Sequence, residues 1–425
     1  MIATIIIVFA VLALLGMPLA FALGLAGLAG LMVADFPLMT LSGKMVHSID
    51  SFPLMAIPLF MIAGQLLLRG GIMDRFIELA NALVGRVRGG LGQVTVVAAM
   101  GLSSVSGTAV ADASALGSTL GPALTRAYGR GFGAALVAAA SNLGPIIPPS
   151  AGMIVYAILA GNVSVGAMFI AGILPGLVLG LSLMALCNVI ARRRGFPLTG
   201  EPFSLRRLLF ELWRSSLVLL MPVIVIGGIV GGVFTATEGA AIACVYALLV
   251  GFLVTRKLRL RDLPPALLNA AIISAIVAAL IAFASQVTYL LTAEMVGVIV
   301  AEWLQSLTAD PLMFTFLVMA ILIVVGMFME ANAAYVMLVP IMAPIALAYQ
   351  LDPVYFGFVF VMNITIGSIT PPVGVLLFVS AGIWRAKLSE VIGQIWPFVA
   401  VQYLVLVICV LFPDLVLFLP RLMGY

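Results

Sequence analysis

The chain has 425 residues, 64% of them hydrophobic and only 8% charged, against about 25% charged in an ordinary soluble domain. So few charges cannot cover a water-facing surface of this size, and lipid must replace water around most of the chain. A net charge of +4, three cysteines without paired spacing (Cys187, Cys244 and Cys409) and a single histidine, His47, exclude an extended nucleic-acid-binding surface, a disulfide framework and a histidine metal centre.

Residues 2–34 form the first apolar run. No Lys or Arg precedes Lys44, so the run lacks the charged start of a cleavable leader and is expected to be retained. It is longer than one upright span, and Gly16-Met17-Pro18 interrupts it; one crossing and two are both compatible with its length. Span 49–68 follows. In 73–88, Met73, Phe76, Ile77, Ala80, Leu83, Val84 and Val87 share one helical face while Asp74, Arg75, Glu78, Arg86 and Arg88 lie off it, the pattern of an interfacial helix. Segment 89–124, spans 131–161, 165–191, 215–234, 236–255 and 265–283, a second interfacial segment at 294–307, segment 312–348, span 353–383 and run 390–412 complete the order. These runs are continuously apolar, which predicts helices rather than the alternating strands of a barrel.

The basic residues orient this series. Arg192, Arg193, Arg194, Arg206, Arg207 and Arg214 fall in one loop, and Arg256, Lys257, Arg259 and Arg261 in another. Two spans separate the loops, so both lie on one side, the cytoplasm by the positive-inside bias. Arg86 and Arg88 before segment 89–124, and Arg126 and Arg130 after it, then share that side, which makes 89–124 a re-entrant hairpin. Topology signalling alone accounts for this basic pattern without any ligand.

Two motifs recur. Asn142-Leu-Gly-Pro-Ile-Ile-Pro148-Pro149 and Asn363-Ile-Thr-Ile-Gly-Ser-Ile-Thr-Pro371-Pro372 each set an Asn, a Gly and a Pro-Pro pair inside an apolar span, and Gly121-Pro122 and Ala343-Pro344 precede them at matching distances, an offset of about 223 residues. Span 49–68 opens the first copy running toward the cytoplasmic arginines, and 265–283 opens the second running away from them. The repeat is therefore inverted, and hairpin 312–348 enters from outside, with Arg385 and Lys387 back inside. Inverted repeats with broken helices are the architecture of many secondary transporters, whose sites lie where the halves meet. The fold class expected is all-α integral membrane, an inverted-repeat transporter with two re-entrant helical hairpins and two broken transmembrane helices.

The first hairpin tip, Gly101-Leu-Ser103-Ser104-Val-Ser106-Gly107-Thr108, faces the break at 142–149, and the second, near Gly326 to Asn332, faces 363–372. Backbone at membrane depth needs partners that lipid does not supply, so these tips and breaks can offer carbonyl and hydroxyl oxygens to a hard cation such as Na⁺. Helix starts after the breaks suit an anion without any buried arginine. The plainer account is that Gly, Ser and Thr merely let helices approach closely. Among the intramembrane acids, Glu238 follows Phe234-Thr-Ala-Thr237 and reads as a helix start, whereas Asp112 and Glu330 either stabilise a hairpin or line the site. No zinc-peptidase, nucleophile-elbow or phosphate-loop motif is present, so energy must come from an ion gradient or a partner.

Taken together, Asp50-Ser-Phe-Pro-Leu-Met-Ala-Ile-Pro58, Gly107-Thr-Ala-Val-Ala-Asp112, Gly144-Pro-Ile-Ile-Pro-Pro149, Phe234-Thr-Ala-Thr-Glu238, Asp352-Pro-Val-Tyr-Phe-Gly357 and Ile369-Thr-Pro-Pro-Val-Gly374 resemble the large membrane subunit of the tripartite ATP-independent periplasmic (TRAP) transporters over nearly the whole chain. The resemblance implies a sodium-coupled importer of an organic acid such as a C4-dicarboxylate or sialic acid in the bacterial inner membrane. Its partners would be a periplasmic substrate-binding protein and a small four-helix membrane subunit, with no cofactor beyond Na⁺ as coupling ion. It also implies an elevator motion. Residues 1–88 would then be scaffold and first arm, 89–191 the first half of the moving unit, 192–311 basic loop, scaffold and second arm, and 312–418 the second half. Carried over by position, Ser103, Ser106, Gly107, Asn142 and Gly144 belong to one sodium site and Gly326, Asn363, Thr365, Gly367 and Thr370 to the other. Ser104, Thr108, Pro149, Ser150, Glu330, Asn332 and Pro372 are assigned to the substrate. Glu330 stands where many relatives are expected to carry Asp. Two other readings are a self-sufficient sodium/dicarboxylate symporter and a membrane-embedded enzyme.

Overall fold

The computed structural model describes residues 1–34, 37–84 and 86–425. It is almost wholly helical, and among the described residues eight helices are long and apolar enough to cross a membrane. Position 85, inside the predicted segment 73–88, lies outside the described residues.

The first apolar run is a helical hairpin. Helices α1 (Ile2–Leu14) and α2 (Leu19–Val33) turn back on each other at Gly16-Met17-Pro18. Gly30 gives room to Ile5, where an added Cβ would lie 2.6 Å from the isoleucine Cγ1. At 1.5 Å per residue neither helix reaches the roughly 30 Å of a bilayer core. Helix α3 (Leu38–Ile49) is a separate element that the apolar runs do not mark. A short 3-10 turn leads into α4 (Ala56–Arg69), and α5 (Ile72–Val84) follows. Helix α5 buries Phe76 against Gly101, where an added Cβ would sit 2.6 Å from the ring.

The first hairpin is α6 (Gly90–Ser106) and α7 (Ala109–Tyr128). Its two ends meet: the Gly92 N–H donates to the Tyr128 hydroxyl at 3.3 Å, and Tyr128 stacks on Phe196 at 4.4 Å between ring centroids. The first broken helix is α8 (Arg130–Ser141) and α9 (Ala151–Ala160), followed by α10 (Val165–Arg193), α11 (Leu205–Val230), α12 (Ala236–Leu249) and α13 (Leu263–Ala293). Glu238 and Thr235 cap each other reciprocally at the start of α12, the helix-start role read from the sequence. Helix α2 lies parallel to the second half of α13, with Gly24 against Phe283 and Gly27 against Gln286.

The basic loops gather at one end of the molecule. Strand β1 (Val87–Arg88) pairs with β2 (Leu198–Thr199), Lys257 meets Asp74 at 2.6 Å, and Arg214 meets Glu78 at 2.8 Å. These contacts join the 192–214 and 256–261 loops to the foot of the first hairpin, which is the common side that the arginines indicate.

The second copy runs α14 (Val296–Leu307), α15 (Pro311–Phe328), α16 (Ala331–Ala348), α17 (Pro353–Gly367), α18 (Val375–Trp384) and α19 (Leu388–Leu411), and a short amphipathic α20 (Asp414–Leu422) closes the chain. The α15–α16 hairpin also returns to where it began: the Tyr349 hydroxyl donates to the Thr308 carbonyl at 2.8 Å, and its ring stacks on Phe314 at 4.2 Å.

Helix α19 reveals the inversion. It runs parallel to α8, since Gly131 abuts Glu390 at one end while Gln402 donates to the Ala139 carbonyl at the other. It runs antiparallel to α17, whose Tyr355 reaches Val410 at 3.2 Å and whose trailing Thr370 approaches Tyr403. Helices α8 and α17 therefore point in opposite directions, and their broken ends meet at the centre. Across that centre α9 packs on α16 and α18 on α7, so each half closes over the other.

Candidate functional site

Each hairpin tip rests on a break by backbone-to-backbone contact. At the first tip Gly107 adopts φ +64°, which ends α6, and a Cβ there would lie 2.6 Å from the Pro149 carbonyl oxygen. Only glycine meets both demands. The Ala151 N–H donates to the Gly107 carbonyl at 3.4 Å. Gly144 lies so close to the tip that a Cβ would stand 2.7 Å from an Asp112 carboxylate oxygen and 2.9 Å from the Thr108 carbonyl carbon. At the second tip Gly326 and Gly367 face each other across α15 and α17, and the Gly374 N–H donates to the Met327 carbonyl at 2.9 Å. The Pro-Pro bonds of the two breaks, Pro148–Pro149 and Pro371–Pro372, are cis.

The polar side chains sort around this frame. Ser103 donates to Asp112 at 3.0 Å and Ser106 to the other carboxylate oxygen, all three buried. Asn142 is fully buried; its Nδ2 donates to Gln402 Oε1 at 3.0 Å, and its Oδ1 accepts from Ser368 of the other broken helix at 3.4 Å. Asn363, also fully buried, donates to the Met319 carbonyl at 3.0 Å, while its Oδ1 has no hydrogen-bond partner among the described residues. Thr365 and Thr370 donate into their own segment, to Val361 and Ile366, each at 2.8 Å, so their outward oxygens are acceptors. These are the groups a hard cation requires.

Between the tips lies a cavity of about 90 Å³ lined by Thr108, Ser368, Thr365, Asn332, Tyr335 and Glu330 among others, with no Lys or Arg among the described residues of its wall. Four helix starts converge on it, those of α7, α9, α16 and α18, through Ala109, Ala151, Ala331 and Val375. Two are already capped by side chains: Ser150 accepts from the Met153 N–H, and Glu330 accepts from the N–H groups of Asn332 and Ala333. Helices α7 and α18 carry no side-chain cap. At α18 the Leu376 and Leu377 N–H groups already donate to the Ser368 and Gly374 carbonyls at 3.0 and 2.8 Å, so the first N–H groups of α7 and the positive ends of the helix dipoles are what can hold a carboxylate.

Among residues predicted to touch substrate, Thr108, Glu330 and Asn332 reach this cavity, as do Gly107 and Thr365 from the predicted ion ligands. Ser104 instead donates to the Gly101 carbonyl within its own helix, Pro149 and Ser150 sit in the wall of the first break, and Pro372 is exposed. Glu330 both caps α16 and lines the cavity. Gln402, Ser368 and Tyr335 were missed. An amide in the middle of the apolar run 390–412 was the available sign for Gln402, whereas Ser368 and Tyr335 needed the tertiary arrangement.

Two oppositely directed broken helices closed by two hairpin tips define an inverted-repeat membrane transporter. The chain belongs to the tripartite ATP-independent periplasmic transporter family, DctM component, which it matches over residues 6–415. It is 38% identical to the C4-dicarboxylate TRAP transporter large permease protein DctM of Pseudomonas aeruginosa, over 95% of this chain and 94% of that one. It is 34% identical to the sialic acid TRAP transporter large permease protein SiaM of Vibrio cholerae, over 96% of each. The isethionate TRAP transporter permease protein DctMQ of Oleidesulfovibrio alaskensis is 38% identical over 96% of this chain, which spans 65% of that longer protein. In fold the chain resembles the Alcanivorax borkumensis YdaH transporter, with a TM-score of 0.63 and 16% identity over 87% of this chain and 86% of that one.

Proposed function

We propose that this chain is the large membrane subunit of a sodium-coupled importer of a small organic acid in a bacterial inner membrane. It works with a small four-helix subunit and is fed by a periplasmic binding protein. The observation that carries this reading is the convergence of four helix N-termini on a cavity without a basic side chain. Such a site holds an anion by backbone dipoles. The organic anions in the names of the relatives fit that chemistry. The two groups of buried oxygens beside the cavity, around Ser103, Ser106 and Asn142 and around Asn363, Thr365 and Thr370, are assigned to Na⁺. The hairpins and broken helices move as one body against the scaffold helices, which turns the same contacts to either side.

The test is reconstitution with the small subunit in proteoliposomes, following uptake of labelled organic acids. Uptake should require an inward sodium gradient and the loaded binding protein. Uptake by this chain alone would favour the self-sufficient symporter, and uptake indifferent to sodium would sink the coupling assignment.

A further inference from the structure

The first hairpin holds a buried carboxylate that neither the ion nor the substrate assignment uses. Asp112 lies in the first turns of α7, fully buried, with one oxygen accepting from Ser103 and the other from Ser106. Gly144 of the first break presses against it, leaving no space for a side chain between them. No Lys, Arg or His forms an ion pair with it among the described residues. A hydroxyl has one proton to donate and two lone pairs. With both serine protons committed to Asp112, both serine oxygens offer only lone pairs to any other neighbour.

We propose that Asp112 is a positioning residue and the fixed counter-charge of the first cation site, turning Ser103 and Ser106 into obligate lone-pair ligands for Na⁺. The second tip lacks this device. At the repeat offset, Gly326 stands for Ser103, Met329 for Ser106 and Tyr335 for Asp112. The carboxylate of the second tip, Glu330, instead caps α16 through the Asn332 and Ala333 N–H groups, so only the first cation site has hydroxyl ligands oriented by a carboxylate. This inference rests on the sodium reading above.

Asp112→Asn is nearly isosteric, yet it replaces one acceptor with a donor and so forces one serine to turn its proton outward. The full chain is melted in detergent across a series of NaCl concentrations, with choline chloride holding ionic strength constant. The half-saturating sodium concentration of the variant should rise about tenfold to a hundredfold, the range set by hydrogen bonds to a charged group. Its melting temperature at saturating sodium should approach that of the wild type. In the variant background Ser106→Ala should add little, because the two residues act as a unit. An unchanged half-saturation overturns the proposal, even if the variant melts lower at every sodium concentration, since that marks a purely structural role. A wild type whose melting ignores sodium removes the sodium reading itself, and this proposal with it. Should Asp112→Asn fail to fold, Ser103→Ala and Ser106→Ala carry the same titration, and unchanged half-saturation in both is equally fatal.

Discussion

The contact between Gly326 and Gly367 is the tightest junction of the second tip with its broken helix. In Gly367→Ala the added Cβ would lie 2.6 Å from Gly326 Cα and 2.8 Å from its carbonyl carbon. Both neighbours are backbone atoms, so no rotamer change relieves the overlap. Reaching ordinary carbon–carbon separation requires the tip to retreat by about 1 Å. Overpacking of this kind costs about 1–3 kcal/mol, and the retreat also strains the Gly374 to Met327 hydrogen bond that closes the tip. The variant is expected to remain folded, melt a few degrees lower and lose most sodium-driven uptake in proteoliposomes. Gly382→Ala in α18 is the control. Its Cβ meets nothing within 4 Å, and alanine gains up to about 1 kcal/mol of helix propensity, so melting and uptake should match or exceed wild type. Wild-type uptake by Gly367→Ala, or equal loss in Gly382→Ala, would refute the view that backbone contact at the tip builds the site.

Trp384, at the end of α18, sits in a slot formed by Gly117 and Gly121 of α7 and Gly133 of α8, linking the second half to the first. Trp384→Ala should cost about 3–5 kcal/mol, visible as a large fall in melting temperature that sodium does not restore. The Lys257–Asp74 pair is about half exposed on both sides, 53% and 54%, and such pairs contribute about 1 kcal/mol at most. Lys257→Ala should therefore leave melting nearly unchanged, and a large loss would show that the arm is clamped electrostatically.

Much of this architecture was legible because lipid simplifies the code. Continuous apolar runs marked the helices, and the arginine clusters marked the two loops that meet at one end of the molecule. Residues that lipid disfavours, Asn142, Asn363 and the Pro-Pro pairs, marked the breaks. The elements missed are those whose signal is short or ambiguous. Helices α3 and α20 are brief amphipathic pieces. Helix α14, read as interfacial, leaves Ile299, Trp303 and Leu307 exposed and buries Leu304, as an apolar face turned to lipid requires. An apolar stripe says which residues lie together, and in a membrane either protein or lipid satisfies it. Gln402 and Trp384 stayed hidden for another reason. Their partners lie roughly 250 residues away in the chain, and no local pattern encodes such pairings.

The repeat predicts equal roles for Asn142 and Asn363, but their surroundings differ, and so should their variants. Asn142 satisfies Gln402 and accepts from Ser368, joining three segments. Asn142→Ala leaves the Gln402 carbonyl oxygen buried without a donor, a loss of about 1–3 kcal/mol. Asn363→Ala removes an oxygen that already lacks a partner, and the Met319 carbonyl it releases lies inside α15, where the helix supplies its own donor. Both variants should abolish sodium-driven uptake, but only Asn142→Ala should melt clearly below wild type when sodium is absent. If Asn363→Ala is the less stable of the two without sodium, its unpaired oxygen has a structural partner rather than a cation to serve. If instead its deficit appears only when sodium is added to the wild type, that oxygen belongs to the ion.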